Sequence, residues 1–211
     1  EYQEAKLLLF HKYVRNSGCF IVNADDLSGT TSKIQDIAFQ RNMHCYVYND
    51  IDLNVSGVNV SEGKQNFTIK HGNTTYKAST SLCGVFQISN LSAAILSIIN
   101  FGLEISDFID YIPSMRAPKG RMELVSKGVY IDYAHTPEAL ELSLNSLRKF
   151  NEIGRLILIF GCGGDRDSDK RSVMGEIASK VSDIVIVTDD NPRYECPNKI
   201  RQDIISGIMN N

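Results

Sequence analysis

Apolar residues recur at helical spacing from the first residues of the chain, where Tyr2, Ala5, Leu8, Leu9 and Tyr13 form one stripe and predict a helix over 2–15. Lys6 lies on the stripe with Tyr2, Leu9 and Tyr13, so its stem is expected to be at least partly buried, with the amine either snorkelling to solvent or, if desolvated, losing its charge to act chemically. A short apolar run, Cys19 to Asn23, then predicts a strand that ends in Ala24-Asp25-Asp26. The helical period returns over roughly 31–41, and His44 to Tyr48 reads as the next strand. Strand, helix and strand in that order predict a parallel sheet of α/β type.

Between Leu53 and Cys83 the pattern changes to strict alternation, as in Val58-Asn59-Val60, Phe67-Thr68-Ile69 and Thr75-Tyr76-Lys77. Glu62-Gly63 and His71-Gly72-Asn73 interrupt it with hairpin turn residues, so a small antiparallel sheet is expected here. A long apolar helix follows from Ile88 to Phe101, stopped at Gly102, and a shorter one near 106–112 is expected to end before Pro113. Residues 113–121 hold two of the five prolines and read as an interdomain linker.

Beyond the linker the α/β texture resumes. A strand pair is expected at 122–125 and 129–131, then a helix opened by Thr136 and Pro137, an N-cap and first-turn pair, with Leu140, Leu144 and Leu147 inward. Strand Leu156 to Phe160, helix 172–181, strand Ile184 to Thr188 and helix 197–209 complete a second unit. The expected domains are 1–121 and 122–211.

A chain of 211 residues with 43% hydrophobic and 22% charged residues has globular composition, which excludes a disordered or fibrous protein. The net charge of −3 gives no support to binding of nucleic acid or of a membrane surface. No apolar run approaches the roughly 20 residues of a membrane span. The charged first residues, running straight into a helical pattern, are expected to hold no signal peptide and to be a start cut into a longer chain. Five cysteines at 19, 45, 83, 162 and 196 have no metal spacing and are expected to be small buried thiols in a reducing cytoplasm. Without a secretion signal, the sequons at Asn54, Asn59, Asn66, Asn73 and Asn90 are silent.

Two charged loops follow strands of the second unit. Gly161-Cys-Gly-Gly-Asp-Arg-Asp167 places glycines where a backbone can approach a ligand, but Arg166 stands where a dinucleotide fingerprint needs a third glycine. Arg166 suits an anionic group, and a surface turn with self-paired charges fits the string equally well. Thr188-Asp-Asp-Asn-Pro-Arg193 offers carboxylates for an ammonium and a guanidinium for a carboxylate, a grip suited to a zwitterion. Its alternative is an ordinary Asp-Asn-Pro turn. Both loops leave neighbouring strands, so both are expected on one rim.

At the strand-to-helix junction Tyr130 to Pro137, Asp132 suits a metal or a ribose hydroxyl, and His135 precedes a helix N-terminus that favours phosphate. Either residue reads equally as a helix cap. Gly57 to Lys64 has one residue too many for a Walker loop and lies among hairpins, and there is no serine-nucleophile signature.

Seven strings in order resemble the Mur ligases, ATP-dependent enzymes of peptidoglycan precursor synthesis, and most closely the branch that adds the third amino acid. They are Tyr2-x-x-Ala-Lys6-x-x-Leu-Phe10, Val22-Asn-Ala-Asp-Asp26, Ile88-Ser-Asn90-x-x-Ala-Ala94, Gly120-Arg-Met-Glu123, Asp132-Tyr-Ala-His-Thr-Pro137, Gly161 to Asp167 and Asp190-Asn-Pro-Arg193. The resemblance implies that Lys6 is carried as a carbamate holding Mg2+ beside the ATP γ-phosphate. It implies that Asn90 lies near the adenine, that Arg121 and Asp132 contact the phosphates and ribose, and that Tyr133 and His135 face ATP. Lys6, Asp132 and His135 are thereby the catalytic candidates. Arg166, Asp190, Asn191 and Arg193 match residues that bind the incoming amino acid, and the Asp-Asn-Pro-Arg form is similar to that of enzymes selecting meso-diaminopimelate. The second carboxylate of that substrate, absent from lysine, is a partner for a guanidinium.

The implied reaction joins meso-diaminopimelate to UDP-MurNAc-L-Ala-D-Glu through an acyl phosphate in the cytoplasm, with ATP and Mg2+. The implied architecture is the later part of the central ATPase domain followed by part of a Rossmann-like C-terminal domain. Such a piece, truncated at both ends, is expected to be inactive by itself. The rival readings are another Mur-like ligase, such as folylpolyglutamate synthetase, and a non-catalytic nucleotide-binding module.

Overall fold

The computed structural model describes residues 2–150 and 154–209, in two compact units that divide between Met115 and Arg116. In the first, helix α1 (Tyr2–Leu8) runs into a π-helical turn (Leu9–Tyr13), followed by β1 (Cys19–Asn23), α2 (Thr30–Gln40) and β2 (His44–Tyr48). The two strands are parallel, with Cys19 opposite His44 and Asn23 opposite Tyr48. Alternate side chains serve two cores, as a parallel sheet covered on both faces requires. Phe20, Val22 and Val47 pack with Leu7, Ile34, Ile37 and Ala38, while Ile21, Tyr46 and Tyr48 pack towards helix α3 (Val85–Asn100).

The expected stripe on the first helix is on the wrong face. Tyr2 and Tyr13 are 76% and 71% exposed, and Leu8 and Leu9 are also exposed. Leu7 is buried instead, with Phe10 and Val14 partly buried beside it. Both sets have helical spacing, and tertiary bonds select between them. Val14 N–H donates to Leu9 O (3.0 Å), closing the π turn, and Arg41 donates to the carbonyls of Phe10 and Val14. Lys6 is accordingly exposed.

The antiparallel sheet is present as β3 (Asn54–Ser61), β4 (Lys64–His71) and β5 (Thr74–Thr80) in consecutive order. Glu62 and Gly63 both have positive φ, as a two-residue type I′ turn demands. Phe67 and Ile69 point into a core built with Leu53, Leu91, Ile95 and Leu96. Side chains buried this fully contribute about 1.5–3 kcal/mol each. The expected helix near 106–112 is two pieces: α4 (Ile105–Phe108), started by a Glu104–Asp107 capping box, and a 3-10 turn (Ile109–Ser114) that includes Pro113.

In the second unit, β6 (Glu123–Ser126) and β7 (Val129–Ile131) form an antiparallel pair and lead to α5 (Pro137–Phe150). Thr136 Oγ1 accepts the Ala139 N–H (3.3 Å), the expected cap. Then come β8 (Ile157–Phe160), α6 (Lys170–Val181), β9 (Ile184–Val187) and α7 (Pro197–Met209), with β8 and β9 parallel. Leu140, Leu144, Met174, Ile200 and Ile204 form the core between the helices and one sheet face. Helices α6 and α7 approach closely because each presents a glycine: a Cβ at Gly175 would overlap the Ile204 carbonyl, and one at Gly207 the Ser172 carbonyl. Among the described residues no single helix is long and apolar enough to cross a membrane. Cys83 and Cys162 are buried, but Cys196 is exposed, against the expectation of buried thiols throughout.

Candidate functional site

The loops after β8 and β9 meet at the carboxyl edge of the second unit, on the one rim expected for them. Gly164 N–H donates to Asn191 O (2.8 Å), and Arg193 Nη1 donates back to Gly164 O (2.6 Å). A Cβ at Gly164 would overlap Pro192, and one at Gly163 would come within 2.9 Å of Arg193 Nη1. The glycines therefore admit the neighbouring loop. Asp165 Oδ2 accepts the Tyr194 N–H (3.2 Å), a further bond between the two loops.

The charges on this rim divide into those committed to structure and those left outward. Asp189 pairs with Arg201 on α7, and Asn191 Oδ1 accepts the Arg193 N–H (3.2 Å). Asp190, Arg166 and Arg193 are exposed. Neither Asp165 nor Asp167 forms an ion pair with Arg166, so the self-paired surface turn is not what forms. Asp167 instead accepts the Asp169 N–H, 3.0 Å.

Sequence reasoning missed the group that holds both loops. Arg171, on α6, is fully buried and makes a two-pronged contact with Glu195 (Nη1 to Oε2 2.9 Å, Nη2 to Oε1 2.8 Å). Its Nη1 also donates to Asp203 on α7 (3.0 Å) and its Nη2 to the Gly163 carbonyl (3.3 Å). Glu195 Oε1 accepts the Asp165 N–H as well (2.6 Å). The Arg171 guanidinium and that backbone N–H hold the Glu195 carboxyl down to about 2. The signal was readable: Arg171 falls on the helical stripe of Met174, Gly175 and Ala178, and a charge on a core stripe requires a partner.

At the β7-to-α5 junction the structure assembles Arg121, Asp132, Tyr133 and His135. The Arg121 guanidinium lies over the Tyr133 ring at 4.7 Å, and the His135 ring meets Tyr133 edge-on at 5.1 Å. His135 Nδ1 donates to the Tyr133 carbonyl (3.0 Å). Lys170 at the start of α6 donates to the His135 carbonyl (2.8 Å), tying this junction to the rim. Asp132 uses both oxygens internally: Oδ1 accepts the Met122 N–H (3.0 Å) and Oδ2 the Ser143 hydroxyl (2.5 Å). That carboxylate locks β6 and α5 to the junction.

Lys6 and Asn90 belong to the first unit. Lys6 Nζ lies 4.5 Å from the centre of the Tyr2 ring, at a cleft of about 690 Å³ lined also by Asn23, Asp26, Thr30 and Thr31. Asp26 is held down to about 2, chiefly by the Ser28 hydroxyl and by backbone bonds at the start of α2. Asn90 is exposed on α3 and donates to Gln87 (3.4 Å). Among the described residues no three His, Cys, Asp or Glu side chains gather where they would hold a metal ion. As an ammonium Lys6 offers a cation no ligand, and as a carbamate it offers one anionic group. The residues described here do not by themselves fit a Mg2+ site.

Parallel α/β units with loops converging at a carboxyl edge define a ligand-binding α/β protein. The chain belongs to the Mur ligase family: residues 1–98 match the Mur ligase middle domain, and residues 120–210 the Mur ligase, glutamate ligase domain. It is 41% identical over 216 residues to the UDP-N-acetylmuramoyl-L-alanyl-D-glutamate--2,6-diaminopimelate ligase of Rickettsia rickettsii, covering 98% of this chain and 43% of that protein. The enzyme of the same name from Anaplasma marginale is 38% identical, over 97% of this chain and 43% of its own length. The chain thus spans less than half the length of these curated relatives. A solved structure of a ligase of that name matches with a TM-score of 0.62 and 30% identity over 98% of this chain and 43% of its own. Folylpolyglutamate synthase of Mycobacterium tuberculosis complexed with ADP matches at a TM-score of 0.74 and 19% identity, over 90% of this chain and 44% of its own, a likeness of fold alone.

Proposed function

We propose that this chain is part of a cytoplasmic, ATP-dependent ligase that joins meso-diaminopimelate to UDP-MurNAc-L-Ala-D-Glu in peptidoglycan precursor synthesis. Residues 1–121 contribute to its ATP-binding domain and 122–211 to its amino-acid-binding domain. The carboxylate of the dipeptide takes the γ-phosphoryl group and ADP leaves. The diaminopimelate amine then attacks the acyl carbon, loses a proton and expels phosphate. Lys6, as the carbamate the resemblance implies, would carry one anionic group in the first unit, which by itself makes no Mg2+ site. Asn90, Arg121, Tyr133 and His135 face the nucleotide. Asp132, exposed at the junction it locks, keeps a free lone-pair site on each oxygen and serves the nucleotide with them as a catalytic group.

The observation that carries this reading is the presence on one rim of two exposed arginines, Arg166 and Arg193, with Asp190 beside them, the Arg193 guanidinium resting on the Gly164 carbonyl. Two guanidiniums suit an amino acid with two carboxylates, and Asp190, with Asn191, suits its distal ammonium. Relatives about 40% identical over nearly the whole chain, whose names specify 2,6-diaminopimelate, support the same substrate. Folylpolyglutamate synthesis, the rival, adds glutamate, which has no distal ammonium for Asp190 to hold.

The test is kcat/KM of the full-length enzyme for diaminopimelate, lysine and glutamate, with Arg193→Ala alongside. Arg193 is exposed without substrate, and a charge pair that the seated substrate desolvates costs about 2–5 kcal/mol to break, so diaminopimelate use should fall by tens-fold or more and residual lysine use far less. Equal loss on both would reduce Arg193 to its bond with Gly164 and leave it as a shaper of the loop. Preference for glutamate in the unsubstituted enzyme would establish the rival.

A further inference from the structure

We propose that Arg171 and Glu195 are positioning residues for the amino-acid substrate, which fix the spacing between Arg166 and Arg193. This rests on the reading of the rim as the diaminopimelate site. Neither residue is exposed as those two arginines are: Arg171 is fully buried, and Glu195 is turned to it in a two-pronged pair. The pair touches both loops at their bends. On one side Glu195 Oε1 accepts the N–H of Asp165, the residue immediately before Arg166, and Arg171 Nη2 donates to the Gly163 carbonyl. On the other side Glu195 stands two residues after Arg193 in the loop that follows β9. A planar guanidinium anchored on α6 and α7 is thereby bonded, directly or through one carboxylate, to each loop that carries a candidate substrate cation.

Asp165 and Arg193 both sit at positive φ, near +50°. Non-glycine residues hold that conformation when surrounding bonds over-determine it, and such strain concentrates at binding sites. Here the bonds that over-determine it are Asp165 N–H to Glu195, Tyr194 N–H to Asp165 and Arg193 to Gly164. The Arg171–Glu195 pair is the part of this set with a fixed anchor outside the loops. Loosening it lets the two bends relax, and the outward arginines separate or turn, while the stack of Arg121, Tyr133 and His135 is left in place.

The test uses the full-length enzyme with Glu195→Gln, Arg171→Lys and Asp203→Asn. Glutamine keeps the shape of Glu195 but must turn its amide N–H towards the guanidinium in either orientation, and in one of them towards the Asp165 N–H as well. Lysine keeps the charge of Arg171 and loses the fork. For both, the KM for diaminopimelate is expected to rise on the order of tenfold to a hundredfold, the scale of a small misplacement of reacting groups, with the KM for ATP unchanged. The preference for diaminopimelate over lysine should fall in parallel. Asp203→Asn removes the α7 anchor of Arg171 while leaving its bonds to Glu195 and Gly163, and should raise the KM for diaminopimelate in the same direction but less than Glu195→Gln does, with the KM for ATP unchanged. If Arg171→Lys does not fold, Glu195→Gln decides alone. An unchanged KM for diaminopimelate with lowered stability, or equal rises in every KM, would overturn the positioning role. Failure of the unsubstituted enzyme to use diaminopimelate would instead overturn the proposed function.

Discussion

At the scale of single residues, the structure separates side chains that face outward from those that hold the frame. Arg166 and Asp190 are outward, whereas Asp132, offered by the sequence as a metal or ribose contact, spends both oxygens on Met122 and Ser143. Replacing Asp132 by Ala leaves a half-buried N–H and a buried hydroxyl without their acceptor, a loss of about 1–3 kcal/mol. Urea unfolding of the protein should show that loss, and Ser143→Ala should recover part of it in a double-mutant cycle. Additive effects of the two substitutions would mean that the short bond carries no energy. Arg171 gives the converse lesson. Its position was readable as a charge on an apolar stripe, but its two carboxylate partners lie 24 and 32 residues away in the chain.

At the scale of elements, the alternation of strands and helices was legible almost throughout. The strands at Cys19–Asn23 and His44–Tyr48 and both hairpin turns are where period and turn chemistry put them. What the pattern did not fix is which face of an element turns inward. The first helix buries Leu7 rather than the Tyr2–Tyr13 stripe, because a π turn and Arg41 set its rotation. Helix pairing was equally out of reach. Gly175 and Gly207 read only as weak helix residues, yet each admits the backbone of the other helix. Gly207→Ala should therefore destabilise the protein by about 1–3 kcal/mol, although alanine is the better helix former by nearly 1 kcal/mol. Denaturant unfolding checks the sign: a gain in stability would mean that α6 and α7 separate at little cost.

At the scale of the whole molecule, each of the two units holds a carboxylate kept far below its ordinary range, Asp26 in the first and Glu195 in the second, each near 2. A depressed folded value stabilises the protein fully above the unfolded value, 3.8 for Asp26 and 4.5 for Glu195, and the contribution is lost as pH falls towards 2. The unfolding temperature should be insensitive to these groups above about pH 5 and fall below it. Glu195→Gln should be less stable than the unsubstituted protein at neutral pH, and the difference should shrink as pH approaches 2. A constant difference across that range would remove the Arg171–Glu195 pair from the account.

The sequence by itself determined the elements, the change from parallel to antiparallel texture near Leu53, the placement of both charged loops after neighbouring strands, and the family through seven ordered strings. These are properties of consecutive residues, where side-chain period and turn chemistry act locally. Only the tertiary structure decided that Lys6 is exposed, that Asp132 is committed to the frame, and that one buried guanidinium holds both charged loops. Those outcomes depend on which distant group reaches a side chain first, and no local pattern encodes that distance.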